Sequence, residues 1–182
     1  MIIIGYQGIG KSTAAKDDLL YIDLESTNFR VGPNGEKDER WYAAYANVAL
    51  DLSRQGYRVF VSSHAPVRKW LGEHQTPEDF IFICYPAIEL KDPWIDRLEK
   101  RFEQTGIRKD ELALLNARDR YVNNIHEMIE DGKKYAFFDL KINGMTYNLK
   151  TFITVMLDSM ADRIKACTVP VDGKGNPDGS NN

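Results

Sequence analysis

The chain of 182 residues is poor in the features that would mark several common classes of protein. It has two cysteines, Cys84 and Cys167, and no C-x-x-C pair, so neither a disulfide framework nor a zinc module is indicated. Cys84 lies inside an apolar run and reads as inert core. No apolar run approaches the ~20 residues that a membrane-spanning helix needs. Lysine and arginine number 24 against 27 aspartates and glutamates, a net charge of −3, so there is no global basic field of the kind that holds nucleic acid. The N-terminus has no basic region or cleavage site of the signal-peptide type, and the reading is a cytoplasmic protein. No internal repeat is visible.

What the chain does have is concentrated at its start. Met1-Ile2-Ile3-Ile4 is an apolar, β-branched run, and it leads directly into Gly5-Tyr6-Gln7-Gly8-Ile9-Gly10-Lys11-Ser12-Thr13. This is G-x-x-x-x-G-K-[ST] on the end of a strand, the context that gives the pattern its mechanism. The glycines let successive N–H groups of Gly8, Ile9, Gly10, Lys11, Ser12 and Thr13 face inward as an anion nest, with a helix N-terminus behind them. Lys11 would reach the β- and γ-phosphates of a nucleotide, and Ser12 would coordinate Mg²⁺.

Downstream, short apolar strands alternate with helical patterns. Strands are expected at Met1–Gly5, Leu19–Leu24, Arg58–Ser62, Phe80–Tyr85 and Tyr135–Leu140. The first helix starts near Gly10 and must be short. Glu39–Gln55 has helical spacing of Trp41, Ala44, Tyr45, Val48, Ala49 and Leu52, closed by Gly56. A short helix follows at Ala65–Glu73. A charged helical region over about Pro93–Asp131 breaks near Thr105-Gly106. An amphipathic helix over Asn148–Ala166 carries Phe152, Val155, Met156, Ser159, Met160, Arg163 and Ile164. From about Val169 the chain is rich in Gly, Pro, Asn and Asp without period and reads as a disordered tail. Fully apolar strands alternating with helices predict a three-layer α/β/α fold on a parallel sheet of about five strands, as one domain over 1–168.

In such sheets ligands sit at the carboxyl ends of the strands, which selects the polar residues there. Asp23 and Glu25 alternate at the end of the second strand and are candidates for a general base or a ligand of a metal-bound water, Asp23 first. The alternative is a pair of solvated carboxylates. Arg30 is a candidate clamp for an anionic substrate group, or a surface arginine. After the third strand, Ser62-Ser63-His64 stands where many P-loop proteins carry an aspartate. Magnesium would then rest on Ser12, Asp23, water and the phosphates. His64 is a candidate for substrate binding or a helix cap, and Arg68 a candidate phosphate or carboxylate clamp. Tyr42 is a candidate base-stacking residue, though Trp41, Tyr42 and Tyr45 also fit a core role. Residues 89–134 hold 10 basic and 11 acidic side chains. Arg97 and Arg101, four apart on one face beside Trp94, Ile95, Leu98 and Phe102, and then Arg118 and Arg120, are candidate cations over a transferring phosphoryl group, or members of ordinary salt-bridged helices.

On the loop Gly5–Thr13, the segment Asp23-Leu24-Glu25-Ser26, and Val59-Phe60-Val61-Ser62-Ser63-His64 leading to Arg68, the chain resembles the nucleoside monophosphate kinase-like and gluconate- and shikimate-kinase-like branch of P-loop kinases over about residues 1–166. The resemblance implies ATP and Mg²⁺ as cofactors and Asp23 as base or metal-water ligand. It further implies Arg30 and Arg68 on the acceptor, and Arg97, Arg101, Arg118 and Arg120 in a helical lid over about 89–131. The chain lacks an Asp-Gly-Phe-Pro-Arg stretch after strand three and a Thr-Gly-Asp motif after strand two. The expected activity is phosphoryl transfer from ATP to a small acceptor, a nucleotide or nucleoside first. The alternatives are a polynucleotide or DNA-base kinase using Arg30, Arg68 and Lys69, and an ATP-binding switch with slow hydrolysis. Nucleic acid is the less favoured partner.

Overall fold

Five strands form one parallel sheet: β1 (Ile2–Gly5), β2 (Tyr21–Asp23), β3 (Arg58–Ser62), β4 (Ile81–Pro86) and β5 (Phe138–Ile142), in the order β2-β3-β1-β4-β5. The computed structural model describes residues 1–16, 18–32, 35–36 and 38–167, with the backbone alone for Met160 and residues 162–167. The expected tail from Val169, and the side chains of Met160, Arg163, Ile164 and Cys167, lie outside the described residues. The helices are α1 (Lys11–Ala15), α2 (Trp41–Arg54), α3 (Ala65–His74), α4 (Lys91–Thr105), α5 (Arg108–Tyr135) and α6 (Leu149–Cys167). The chain divides into two units, residues 1–149 with the whole sheet and residues 150–182 with most of α6. Within α6, Ile153 is buried, whereas Val155, expected on the apolar stripe, is exposed.

β-Branched and aromatic side chains make β1, β3 and β4 the centre of the sheet. Ile2, Ile3, Ile4, Val59, Phe60, Val61 and Ile83 have no solvent exposure at all, as strands covered on both faces require. Right-handed crossovers place α1 on one face of the sheet and α2, α3 and α5 on the other, because β1 connects leftwards to β2 and the later strands step rightwards. The direction changes between β1 and β3, and this opens the crevice at their carboxyl ends.

Several boundaries and one helix face differ from the sequence reading, the boundaries most at β2, at the end of α5 and at the start of β5. β2 is only Tyr21–Asp23. α5 runs on to Tyr135 and stops where Ala136 turns left-handed at φ 55°, so β5 begins at Phe138 rather than Tyr135. In α2 the buried side is Tyr45, Ala46, Ala49, Leu50 and Ser53, while Ala44 and Val48 are exposed. Tyr45 sets that rotation. Its hydroxyl donates to Leu24 O at 2.8 Å and accepts from Ser62 N at 2.9 Å, tying the ends of β2 and β3 together, and the small Ala46 and Ala49 allow the close approach. The break near Thr105-Gly106 is present, with Gly106 in the left-handed conformation that closes α4.

Candidate functional site

The phosphate loop leaves β1 at the crevice. Tyr6 N donates to Cys84 O at 2.9 Å, so the sheet pattern carries on one residue past β1 before the chain curls. Gly8 (φ 82°) and Gly10 (φ 90°) take left-handed conformations that a side chain would disfavour. A Cβ on Gly8 would also come within 2.9 Å of Leu98 and 3.2 Å of Trp94. The helix behind the loop, α1, is five residues long, so its dipole is small. An anion at this loop would therefore depend on the N–H groups and on Lys11.

Lys11 Nζ donates to Gly5 O at 3.0 Å and to Tyr6 O at 3.4 Å, which folds the ammonium onto the loop floor. Burial pushes its pKa down, the nearby Asp23 carboxylate opposes this, and Lys109 and Arg101 add to it. An anion in the loop would supply the counter-charge. Ser12 Oγ donates to Asp23 Oδ2 at 2.5 Å, so the two expected magnesium-side residues are in direct contact. No group of three or more His, Cys, Asp or Glu is placed to hold a metal among the described residues. Mg²⁺ bound through one carboxylate, a hydroxyl, phosphates and water needs no such group.

Glu25 shares the end of β2 but is engaged elsewhere: its carboxylate pairs with Lys109 at the start of α5 and accepts from Thr27 N. Burial alone would raise its pKa, and the Lys109 bond and charge outweigh that and hold it below the ordinary value.

The acceptor-side candidates fall into two groups. Arg30 Nη2 lies 2.9 Å from His64 Nε2, His64 Nδ1 lies 2.8 Å from Ser62 Oγ, and the Arg30 guanidinium sits over the Trp41 ring at 4.6 Å. One edge of His64 faces solvent, but burial and the charges of Arg30, Lys11 and Arg68 push its pKa down to about 4. The ring is therefore neutral at pH 7, with Nε2 accepting from Arg30 and Nδ1–H donating to Ser62. Arg30 Nε is buried with no hydrogen-bond partner among the described residues. Arg68, in contrast, is 3 % exposed and bound to Asp131 at 2.6 Å, to Ser63 O, and loosely to Glu127 at 3.7 Å. It is a strut between α3 and α5, already occupied by these partners. Tyr42 meets Trp41 and Trp70 edge-on.

Of the four arginines expected over the phosphates, three are held by carboxylates. Arg101 pairs with the buried Asp110, which also accepts from Thr105 Oγ1 at 2.7 Å; Arg118 lies 2.5 Å from Glu99 and Arg120 2.9 Å from Glu127. Arg97 has no such ion pair among the described residues. It donates to Tyr147 OH at 3.2 Å and to Met145 O at 2.5 Å, and lies over the rings of Trp94 and Tyr147. Arg97 and Arg101 both line a cleft of ≈ 610 Å³ with Lys100 and Met145.

Sequence reasoning missed the residues that hold the loop from outside. Gln7 Nε2 donates to Ala113 O at 2.7 Å and Gln7 Oε1 accepts from Asn116, which fastens the loop to α5. Trp94 Nε1 donates to Gln7 O at 2.9 Å and Tyr147 OH to Ile9 O at 3.0 Å. No local pattern signals these partners, because they lie about 90 to 140 positions away along the chain. Cys84 is core as expected, with burial pushing its thiol up to about 12.

No family model and no curated protein matches the chain. Among solved structures it is similar to a shikimate kinase from Acinetobacter baumannii in complex with shikimate, at 14% identity and a TM-score of 0.48, over 89% of this chain and 92% of that one. On this chain's own coordinates the fold is a parallel five-stranded α/β sheet of order β2-β3-β1-β4-β5, with the G-x-x-x-x-G-K-[ST] loop leaving its central strand.

Proposed function

We propose that this protein is a phosphotransferase that uses Mg²⁺-ATP and a small acceptor, with a nucleotide or nucleoside as the favoured class. The observation that carries this is the contact of Ser12 with Asp23 at 2.5 Å beside Lys11, which brings a metal-ligand hydroxyl, a carboxylate and a phosphate cation to one place in the crevice. Magnesium bound there would neutralise charge developing on the phosphates. Gly8, Ile9, Gly10, Ser12 and Thr13 supply backbone N–H donors, and Lys11 supplies the charge on the β- and γ-phosphates. Ser12 would hold the metal, and Asp23 would either hold it through a bound water or accept the proton of the attacking hydroxyl.

On the acceptor side the Arg30–His64–Trp41 group fits an acceptor with an anionic group and a flat ring. Arg30 Nε has no hydrogen-bond partner among the described residues and is a donor that an oxyanion could take up once the guanidinium moves off the Trp41 ring it covers. For the cation over the transferring phosphoryl group, Arg97 is the best placed of the α4–α5 arginines, since it has no carboxylate partner among the described residues to give up. The ion pairs of Arg101, Arg118 and Arg120 favour a second reading, an ATP-binding switch that turns over slowly.

ADP release from Mg²⁺-ATP against nucleosides, nucleoside monophosphates, sugar acids, shikimate and single-stranded DNA ends separates the two. Stimulation by one class establishes the kinase and its acceptor. Tight ATP binding with no stimulation by any member selects the switch.

A further inference from the structure

Two peptide planes of the phosphate loop are gripped from outside. Every described peptide bond is trans, so the carbonyl of one residue and the N–H of the next point in opposite directions. Gln7 O is held by the Trp94 indole at 2.9 Å, which turns the Gly8 N–H the other way. Ile9 O is held by the Tyr147 hydroxyl at 3.0 Å, which turns the Gly10 N–H the other way. Gly8 and Gly10 are the two loop residues at positive φ, the ones whose peptides are freest to flip. Three further carbonyls are engaged by the loop and its own helix: Gly5 O and Tyr6 O by Lys11, and Gly10 O by Ala14 N.

We propose that Trp94 and Tyr147 are positioning residues that preset the anion nest, by fixing the peptide planes ahead of Gly8 and Gly10 so that both N–H groups are aimed at the phosphates before nucleotide arrives. Arg97 belongs to the same device. It donates to the Tyr147 oxygen at 3.2 Å, and a cation on that oxygen makes the phenol a stronger donor to Ile9 O. The two rings are stacked at 6.5 Å with 8° between their planes, and the guanidinium lies over both, so the phenol cannot rotate off the carbonyl without breaking the stack. Burial raises the Tyr147 pKa to about 12, with the Arg97 charge opposing, so the hydroxyl keeps its proton through the neutral range. A donor on the outside of the loop stabilises one peptide orientation with no contact to the ligand, and the phosphate then meets N–H groups that need no reorganisation.

The inference rests on the loop being a triphosphate site, and the test keeps the two apart. Binding of ATP and of inorganic triphosphate is measured by calorimetry for the wild type, Lys11→Ala, Tyr147→Phe and Trp94→Phe, with thermal stability of each ligand-free protein. Tyr147→Phe removes one hydroxyl and keeps the ring. It is expected to weaken both ligands by the same factor, roughly three- to tenfold, the worth of one hydrogen bond, to shift the Gly10 amide resonance of the ligand-free protein, and to leave the acceptor KM unchanged. Trp94→Phe is expected to act in the same direction through Gly8. Equal affinities for wild type and Tyr147→Phe, with Lys11→Ala much weaker, overturn the positioning role and leave the site standing. No binding of either ligand by the wild type overturns both.

Discussion

The phosphate loop and the arginines of α4 and α5 carry the two kinds of positive group that a phosphoryl-transfer site uses, and the chain places them by different means. Lys11 is set by its neighbours. The loop of which it is part bends back on two left-handed glycines, and its ammonium reaches carbonyls five and six residues away. The arginines are set by side-chain partners: Arg101 by Asp110 and Arg118 by Glu99 across the α4–α5 hairpin, Arg120 by Glu127 within α5, and Arg97 by a phenol and a carbonyl some fifty residues on. A group placed by local backbone geometry is free to meet a ligand. A group placed by an ion pair has to leave it first, so an arginine's position on a helical face says little about its task.

Lys11→Ala gives the largest effect. Turnover should fall by roughly 10³-fold or more, because the main phosphate cation is lost from a dry site. The melting temperature should hold or rise slightly, since the ammonium is burdened by burial in the free protein. Normal turnover in a steady-state assay of this variant would remove the distinction between the loop and the arginines.

Asp23→Asn comes next, with a loss of roughly 10²- to 10⁴-fold in kcat and ATP affinity within a few-fold, if Asp23 takes the acceptor proton. A titration of ATP binding beside the kinetics checks both halves, and unchanged kcat excludes the role.

Arg68→Ala tests the opposite class of cation. It should cost about 2–4 kcal/mol in a urea denaturation series, because Asp131 is left without its buried partner and the guanidinium's packing is lost. The acceptor KM should stay where it is. A stable variant with a raised acceptor KM would return Arg68 to the acceptor side.

Acid sharpens the picture of His64. Its folded pKa of about 4 lies below the ordinary 6.5, so the folded state favours the neutral ring. That contribution is constant above pH 6.5 and is lost as pH falls from 6.5 towards 4, where the unfolded chain takes up the proton and the folded one does not. Glu25 and Asp79, held below their ordinary values, lose their contributions only further down. His64→Gln should flatten the upper part of the curve, and an unaltered slope between pH 6.5 and 4 would mean that the ring is not held in its cluster.

Arg118→Ala should do least. Its pair with Glu99 is about half exposed on both sides, worth at most ~1 kcal/mol in the same denaturation series and screened by salt. A kcat loss of tenfold or more would show that Arg118 leaves Glu99 during turnover, and so reverse its place beside Arg97.

Much of this molecule was open to reading from the chain alone. Periodicity and breaker residues located the five strands and the six α-helices, and the pattern over Gly5–Thr13 marked the loop that curls back on left-handed glycines, because these rest on backbone geometry, side-chain volume and the spacing of neighbours, all of which are local. The rule that ligands gather at the ends of parallel strands selected Ser12 and Asp23 as candidates, and the fold brings the two into contact. Other features required three dimensions. The turn of α2 about its axis depends on Tyr45 bridging Leu24 and Ser62, and the end of α5 depends on Ala136 turning left-handed beside β5. The split between a committed Arg68 and an Arg30 with an open Nε depends on which carboxylates the crossovers bring near. The grip of Trp94 and Tyr147 on the loop joins residues about 90 and 140 positions apart, a pairing fixed by the stacking of elements and invisible to any pattern along the chain. Local sequence sets which groups exist and which backbone shapes they favour, while long-range packing sets which charges are neutralised and which donors face a ligand, because those depend on distances that only the folded chain defines.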